Sequence, residues 1–320
     1  MVPSYTLGIV LAAMLLDAVI GDPPALWRWV PHPVVLFGRL IGALERALNQ
    51  ASMRRARGVV AVVVVVLVAG LIGGAISSAL MPFDWGWVVE AAVMSIFIAQ
   101  RSLLQHVTAI VRPLARGDLG SARSALAKIV GRDVTVLDEA GVARAGIESL
   151  AENASDGVIA PIFWGALFGL PGIMIYKAVN TADSMIGHRD ERYAEFGWAA
   201  ARLDDLLNLV PARLTGLLIC VAALFTPGAS ASEALRIMLR DARKHASPNA
   251  GFPEAAAAGA LGLRLGGPRV YDAERDDAPC MGDGRSDATA VDMERAIKLM
   301  IAGFVLIGLS ILILWMLTSR

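Results

Sequence analysis

Apolar residues fall in long blocks along this chain, and the charges are confined to the segments between them. An unbroken apolar run of about 20 residues is what the hydrocarbon core of a bilayer asks of a helix. Residues 59–80 (VVAVVVVVLVAGLIGGAISSAL) give the clearest run, and 296–317 follows despite Lys298 near its start. The run 87–99 leaves a Trp-rich turn, carries Glu90 and leads on to Gln100 and Arg101. Residues 206–225 are apolar except for Asn208, Arg213 and Thr215. The first run, 5–20, lacks a basic n-region and a small-x-small cleavage site, so it is expected to be a retained span. Residues 158–176 differ: Pro161, Gly165, Gly169, Pro171 and Gly172 break the run, which either spans or enters and returns. The pattern predicts an all-α polytopic integral membrane protein with about four to six membrane helices, some re-entrant, joined by helical loops.

Between these runs the period changes. Residues 112–150 read as two short amphipathic helices with a turn at Gly131-Arg132-Asp133. Residues 232–246 read as a helix with Leu235, Met238, Leu239 and Ala242 on one side. Arg236, Arg240, Arg243 and Lys244 gather on another side at helical spacing. After Pro268 the chain is polar as far as Asp287. There is no internal repeat, so residues 1–320 are taken as a single domain with 228–295 as a large polar loop within it.

Basic residues set the orientation. The segment 81–86 has no Lys or Arg, whereas 22–58 ends in Arg54, Arg55 and Arg57, which places 22–58 in the cytoplasm and 81–86 outside. Segments 112–157, 177–205 and 230–295 are also basic. If all three are cytoplasmic, 158–176 and 206–225 cannot both be simple crossings, and re-entrant helices reconcile the count.

Composition agrees: 56% hydrophobic, mean hydropathy +0.59 and 18% charged, with zero net charge. Zero net charge gives no reason to expect bulk nucleic-acid binding. The two cysteines, Cys220 in an apolar run and Cys280 in a polar one, suggest neither a disulfide framework nor a metal cluster.

The chemistry concentrates between Glu148 and Arg213. Glu148, Glu152 and Asp156 recur every four residues, where like charges on one helical face repel unless a cation relieves them. The plainer reading is that Ser155 or Asp156 caps a new helix, with Pro161 in its first turns. Lys177, Asn180, Asp183 and Ser184 recur at three- and four-residue spacing. They form either an ordinary helix end or a polar face where Asp183 chelates Mg²⁺ and Lys177 touches phosphate. Arg202, Asp204, Asp205, Asn208 and Arg213 are denser than interfacial anchoring needs. Further on, Asp241–Glu254 (DARKHASPNAGFPE) closes the basic helix in a Pro- and Gly-punctuated turn with His245, Ser247, Asn249 and Glu254. That turn suits an anion or carboxylate better than a lipid patch, the alternative for a basic helix. A smaller group, Asp17, Gly21-Asp22-Pro23-Pro24 and Pro31-His32-Pro33, is accounted for by a rigid interfacial turn. No P-loop, dinucleotide turn or nucleophile elbow is present, so any nucleotide site is unorthodox.

Taken together, these segments resemble the CobD/CbiB family of cobalamin biosynthesis, the adenosylcobinamide-phosphate (cobinamide) synthases. The resemblance is carried by GDPP and HPVVLFGRLI in 21–41, IVGRD at 129–133 and AENASDGVIAPIFW at 151–164. It continues through YKAVNTADSMIGHR at 176–189, RYAEFGWAAARLDDLLNLVPARLT at 192–215 and RDARKHASPNAGFPEAAAAGALGLRLGG at 240–267. Two positions depart from the family pattern: His188 stands where an aromatic residue is expected, and Tyr271-Asp272-Ala273 replaces a Tyr-x-Gly ending.

The resemblance implies a ligase that forms a carbon–nitrogen bond. (R)-1-Aminopropan-2-ol or its O-phosphate joins the free propionate carboxyl of adenosylcobyric acid, with ATP and Mg²⁺, and the corrinoid is substrate. On that reading Glu152, Asp156, Asp183, Asp204 and Asp205 are metal candidates. Arg202, Arg240, Arg243, Lys244, Ser247, Asn249, Asn153 and Asn180 are substrate or phosphate contacts, and Lys177 is a catalytic candidate that touches phosphate. His245 or Glu254 is the candidate base. The expected setting is a bacterial inner membrane with the site facing the cytoplasm, and other enzymes of the pathway as partners. A membrane transporter with 158–176 lining a midplane site is the alternative, as is a non-catalytic membrane scaffold or sensor related to the family.

Overall fold

The computed structural model describes residues 4–319 except Pro24, Ala51, Arg132, Pro268, Asp272, Ala273, Asp277 and Ala278. The departure at Tyr271-Asp272-Ala273 and the centre of the Gly131-Arg132-Asp133 turn therefore lie outside the described residues, as does Pro24 of the GDPP motif. In chain order the helices are α1 (Ser4–Val19), α2 (Pro33–Leu48), α3 (Arg54–Leu80), α4 (Gly86–Ser95), α5 (Gln100–Leu114) and α6 (Leu119–Leu126). They continue as α7 (Glu139–Ala154), α8 (Ala160–Ile186), α9 (Trp198–Ala222), α10 (Ala231–Asp241), α11 (Gly251–Leu261) and α12 (Ala290–Thr318). Two short antiparallel strand pairs lie between α11 and α12. This is an all-α polytopic membrane protein; among the described residues five helical stretches are long and apolar enough to cross a bilayer, one of them Glu139–Ile186, which holds the return described below.

The chain forms two compact units. One comprises Met1–Ala99, Ala160–Asn208 and Ile311–Arg320, the other Gln100–Ile159 and Leu209–Ser310.

In the first unit, α3 is the long apolar post on which the rest is built. The 5–20 run becomes α1, at 16 residues shorter than a full perpendicular span. The broken run resolves as a return. Gly169 adopts φ 64°, ψ −153°, a conformation open to glycine and costly for other residues. A Cβ on Gly172 would lie 2.4 Å from the Trp164 carbonyl oxygen, and one on Gly165 3.7 Å from Cβ of Ile173. In a straight helix, residues eight apart are separated by about 12 Å. The chain therefore reverses at Gly169-Leu170-Pro171, and its two arms pack side by side.

The tip and second arm lie along α3: Pro171 meets Gly73, and Ile175 meets Gly70. The arm returns to the start of α3, where the Phe196 carbonyl touches Gly58 and Gly197 packs on the Ile186 carbonyl. Glycines at these places let backbones meet closely, as they do in membrane helix pairs.

Pro211 interrupts the hydrogen-bond ladder of α9, because it has no N–H to offer the Leu207 carbonyl. The indole Nε1–H of Trp164 donates to that oxygen at 3.1 Å. Trp164→Phe removes the donor and leaves the carbonyl unmet. The expected cost is about 1–3 kcal/mol, read from thermal unfolding of the purified protein.

Around residue 155 the sequence expectation is corrected. No new helix starts at Ser155 or Asp156; the chain passes from α7 through a π-helical turn, Ser155–Ile159, into α8. Pro161 lacks the N–H that an α-helix would direct to the Gly157 carbonyl, and a wider turn relieves that mismatch.

In the second unit, α11 is buried along nearly its whole length, as its GFPEAAAAGAL sequence dictates. It pairs with α10 through Gly259, whose missing Cβ admits the Glu233 carbonyl. Ser230 caps α10 by accepting from the Glu233 N–H. The buried side of α10 is Ala234, Ile237, Met238 and Asp241, while Leu235 and Leu239 are exposed. That corrects the predicted apolar side; Ala234 is the residue small enough to lie against Gly259. The helix ends at Asp241 and tightens into a 3₁₀ turn, Ala242–Lys244.

Candidate functional site

The predicted residues fall into two clusters, one in each unit. In the first unit α8 and α9 are tied by a polar chain. Lys177 Nζ donates to Asn180 Oδ1 at 3.4 Å, and Asn180 Nδ2 to Asp204 Oδ1 at 3.3 Å. Asn208 Nδ2 donates to Asp204 Oδ2 at 2.9 Å, and the Tyr176 hydroxyl to Asn208 Oδ1 at 2.9 Å. Tyr176 and Asn208 are 1% exposed and Asp204 is 8% exposed, so this chain fixes the Asp204 carboxylate from within the helix pair.

Asp183 is half-buried one turn beyond Asn180 and lies within electrostatic reach of Asp204 and Asp205. Arg202 pairs loosely with Asp205 at 3.8 Å, and its own head is exposed. A Cβ on Gly187 would stand 2.0 Å from Asp183 Oδ1, so the absence of a side chain there decides where this carboxylate sits. Gly187→Ala should shift the Asp183 carboxylate and reduce any activity that depends on it about tenfold, read as kcat/KM.

Like charges held together in a partly desolvated place repel. A cation relieves them, and Mg²⁺ typically takes one or two carboxylates plus substrate phosphates. Among the described residues, no group of three or more His, Cys, Asp or Glu side chains is placed to hold a metal ion. Asp183 of α8 and Asp204 and Asp205 of α9 therefore form an acidic group, not a closed metal cage.

The second cluster surrounds the end of α10. Asp241 is fully buried and accepts from Arg240 at 2.7 and 2.6 Å, from Lys244 Nζ at 2.6 Å and from the Gly282 N–H at 2.9 Å. Arg240 above all, then Lys244 and the Gly282 amide, hold its carboxyl far below the usual range despite burial. Arg240 also grips Asp283, whose carboxyl is drawn down to about 2 by Arg240 and Arg236. Two of the predicted phosphate contacts, Arg240 and Lys244, are thus engaged with Asp241.

Because the folded pKa of Asp241 lies below its unfolded value, its contribution to stability is complete above about pH 4 and is lost as pH falls further. Asp241→Asn should cost about 3–5 kcal/mol near neutrality and flatten the acid limb of the stability–pH curve, as measured by denaturant unfolding across pH.

Arg243 is exposed and close enough to Arg213 for the two to repel. Arg213 stacks on the Phe252 ring at 4.2 Å and reaches Asn249 Oδ1 at 3.4 Å. In the following turn Ser247 Oγ accepts from the Asn249 and Ala250 N–H groups. His245 Nδ1 accepts from the Ser247 N–H at 3.0 Å, which leaves Nε2 as the protonated nitrogen, facing Glu254 Oε1 at 3.6 Å. A Cβ on Gly251 would meet the Ala242 carbonyl and His245 Cβ, so the turn closes only around glycine.

The stripe Glu148, Glu152, Asp156 does not share one environment. Glu148 is buried and accepts from the Gly266 N–H at 2.8 Å, Glu152 is exposed and Asp156 is half-buried. Asn153 folds back onto the Ser149 carbonyl at 2.8 Å. Sequence reasoning missed Tyr176 and Asp283: a Tyr in an apolar run and an Asp in a polar one carry no local signal of partners this far away in sequence.

Helical spans, a glycine-tipped return and acidic and basic clusters at helix ends define a polytopic helical membrane protein with a polar cluster in each unit. The description "CobD/Cbib protein" matches residues 10–300. A protein of Sinorhizobium sp named "Cobalamin biosynthesis protein CobD" is 48% identical over 319 residues, covering 95% of this chain and 98% of its own. One of the same name from Rhodobacter capsulatus is 46% identical over 312 residues, covering 96% and 98%. Another from Brucella anthropi is 48% identical over 299 residues, covering 91% of each. The chain belongs to the CobD/CbiB family. No solved structure matches it.

Proposed function

We propose that this protein acts in cobalamin biosynthesis as an amide-forming ligase. It joins the free propionate carboxyl of adenosylcobyric acid to (R)-1-aminopropan-2-ol or its O-phosphate, with ATP. The observation that carries the reading is the α8–α9 carboxylate cluster, anchored through Asn180, Asn208 and Tyr176 beside Lys177.

A carboxylate is a poor acyl donor. Transfer of the ATP γ-phosphoryl group to it gives an acyl phosphate and ADP. The amine then attacks the acyl carbon, phosphate leaves with the C–O bond pair, and the nitrogen loses a proton. Mg²⁺, when bound, neutralises phosphate charge. Asp183 and Asp205 would hold it, with Asp204 fixed behind them, and Glu152 and Asp156 are the corresponding candidates on the other unit. Lys177, Asn180 and Arg202 orient phosphate or the reacting carboxylate in the first unit. Arg243, with Arg240, Lys244, Ser247, Asn249 and Asn153, serves anionic groups in the second. Glu254, with the His245 Nε2–H facing it, is the group to take the proton of the ammonium nucleophile.

The basic end of α3 is assigned to the cytoplasmic side of a bacterial inner membrane. On that assignment the carboxylates at the end of the returning α8 arm face the side where ATP is found. The test is purified protein with adenosylcobyric acid, aminopropanol or its phosphate, and ATP·Mg²⁺, with product identified by mass. Product that forms without ATP, or none with all components present, overturns the reading.

A second reading, transport, is favoured by the re-entrant hairpin, a device of transporters. Its polar residues lie on the returning arm rather than at the tip, which fits a site at one face. Uptake of corrinoid or amine into vesicles without ligated product would favour transport.

A further inference from the structure

Where α2 ends and α3 begins, the first unit has a pocket of about 530 Å³ lined by Glu45, Arg46, Asn49, Arg54 and Arg192. It contains three arginines against one glutamate. The glutamate is committed: Glu45, 7% exposed, accepts twice from Arg192 at 3.0 and 3.1 Å and once from Asn49 at 3.2 Å. Arg54 is held by Asn49 Oδ1 at 2.8 Å and by the Glu191 and Arg192 carbonyls, partners that fix its head without neutralising it. Among the described residues, neither Arg46 nor Arg54 has an ion-pair partner. The pocket is therefore pre-organised and left with an excess of positive charge.

Its position adds a second argument. Arg54 opens the span α3, and the adjacent Arg55 lies over the Trp198 ring at 3.7 Å, an arrangement typical of the membrane–water boundary. Within about 14 Å along the same helix, Val59, Val60 and Val63 are well exposed, an apolar face suited to acyl chains.

We infer that this pocket binds a phosphate ester, with the headgroup of an anionic phospholipid as the source its boundary position favours. Arginine forks on phosphate oxygens supply the recognition, and a zwitterionic headgroup would bring a choline ammonium into an already cationic site. The inference stands apart from the ligase reading, since it concerns binding alone.

The experiment uses the full chain in detergent. It is titrated with short-chain phosphatidylglycerol, short-chain phosphatidylcholine and glycerol phosphate, and the unfolding midpoint is followed. Native mass spectrometry counts retained lipids in parallel. Saturable stabilisation by phosphatidylglycerol but not phosphatidylcholine is expected, weakened about tenfold in Arg46→Gln, whose exposed head holds nothing else together. A second variant, Glu45→Gln with Arg192→Gln, keeps the local charge balance and should weaken it similarly. Glycerol phosphate binding as tightly as the lipid, with the same loss in Arg46→Gln, assigns the site to a soluble phosphate ester and rejects the lipid. Equal affinity of wild type and both variants, or phosphatidylcholine matching phosphatidylglycerol, overturns the inference.

Discussion

Asp183→Asn is expected to lower kcat/KM for the proposed corrinoid amidation by at least about 100-fold while leaving the fold intact. The Asp183 carboxylate is half-buried, occupies the place a Gly187 side chain would fill, and belongs to a cluster with Asp204 and Asp205. The change to Asn keeps the shape and removes the charge, so a purely structural role would show in the unfolding midpoint rather than in the rate. If Asp183 acts through Mg²⁺, the variant should need a much higher Mg²⁺ concentration for half-maximal rate. Wild-type activity with an unaltered Mg²⁺ dependence would remove Asp183 from the site. Tyr176→Phe offers the graded comparison: it removes the hydroxyl that donates to Asn208 Oδ1 and keeps the ring, so a loss of about tenfold or less is expected.

Gly172→Val is expected to prevent accumulation of folded protein, with a cost of about 4–5 kcal/mol or more. The new Cβ would lie 2.4 Å from the Trp164 carbonyl oxygen and 2.7 Å from Cβ of Phe168, so the two arms of the return cannot both keep their positions. Gly74→Ala is the matched control. It lies in α3 with nothing within 4 Å of its missing Cβ, and should be neutral or slightly stabilising through helix propensity. Equal yields and equal midpoints for the two variants would refute the side-by-side packing of the arms.

Much of this architecture could be read from the residues. The apolar runs 59–80 and 296–317 mark α3 and α12 because membrane helices need long uncharged stretches whatever they pack against. The glycines and prolines of 158–176 announced an irregular element, and if the basic flanking segments are all cytoplasmic, 158–176 and 206–225 could not both be simple crossings. What local pattern could not supply was pairing between distant positions. Leu235 and Leu239 look like the core side of α10, yet the close approach at Gly259 turns Ala234 and Ile237 inward. The basic residues of the same helix look like an open anion site, whereas Asp241 and Asp283 occupy Arg240. The acidic stripe at 148, 152 and 156 looked like one face, but tertiary packing buries Glu148 against the Gly266 amide and leaves Glu152 outside. Charge and spacing locate polar groups; which of them are spent on one another depends on contacts tens of residues apart.

The return at Gly169 also bears on how the chain is made. A segment of this kind cannot be left in the bilayer as a finished crossing when it leaves the ribosome, since neither arm alone spans the hydrocarbon. Its berth is built earlier: Gly70 and Gly73, which receive Ile175 and Pro171, are synthesised about a hundred residues before them. Insertion of α3 therefore has to precede docking of the hairpin. A bulky residue at Gly73 would act as a biogenesis defect, leaving α3 inserted and the residues around Pro171 stranded and open to proteolysis.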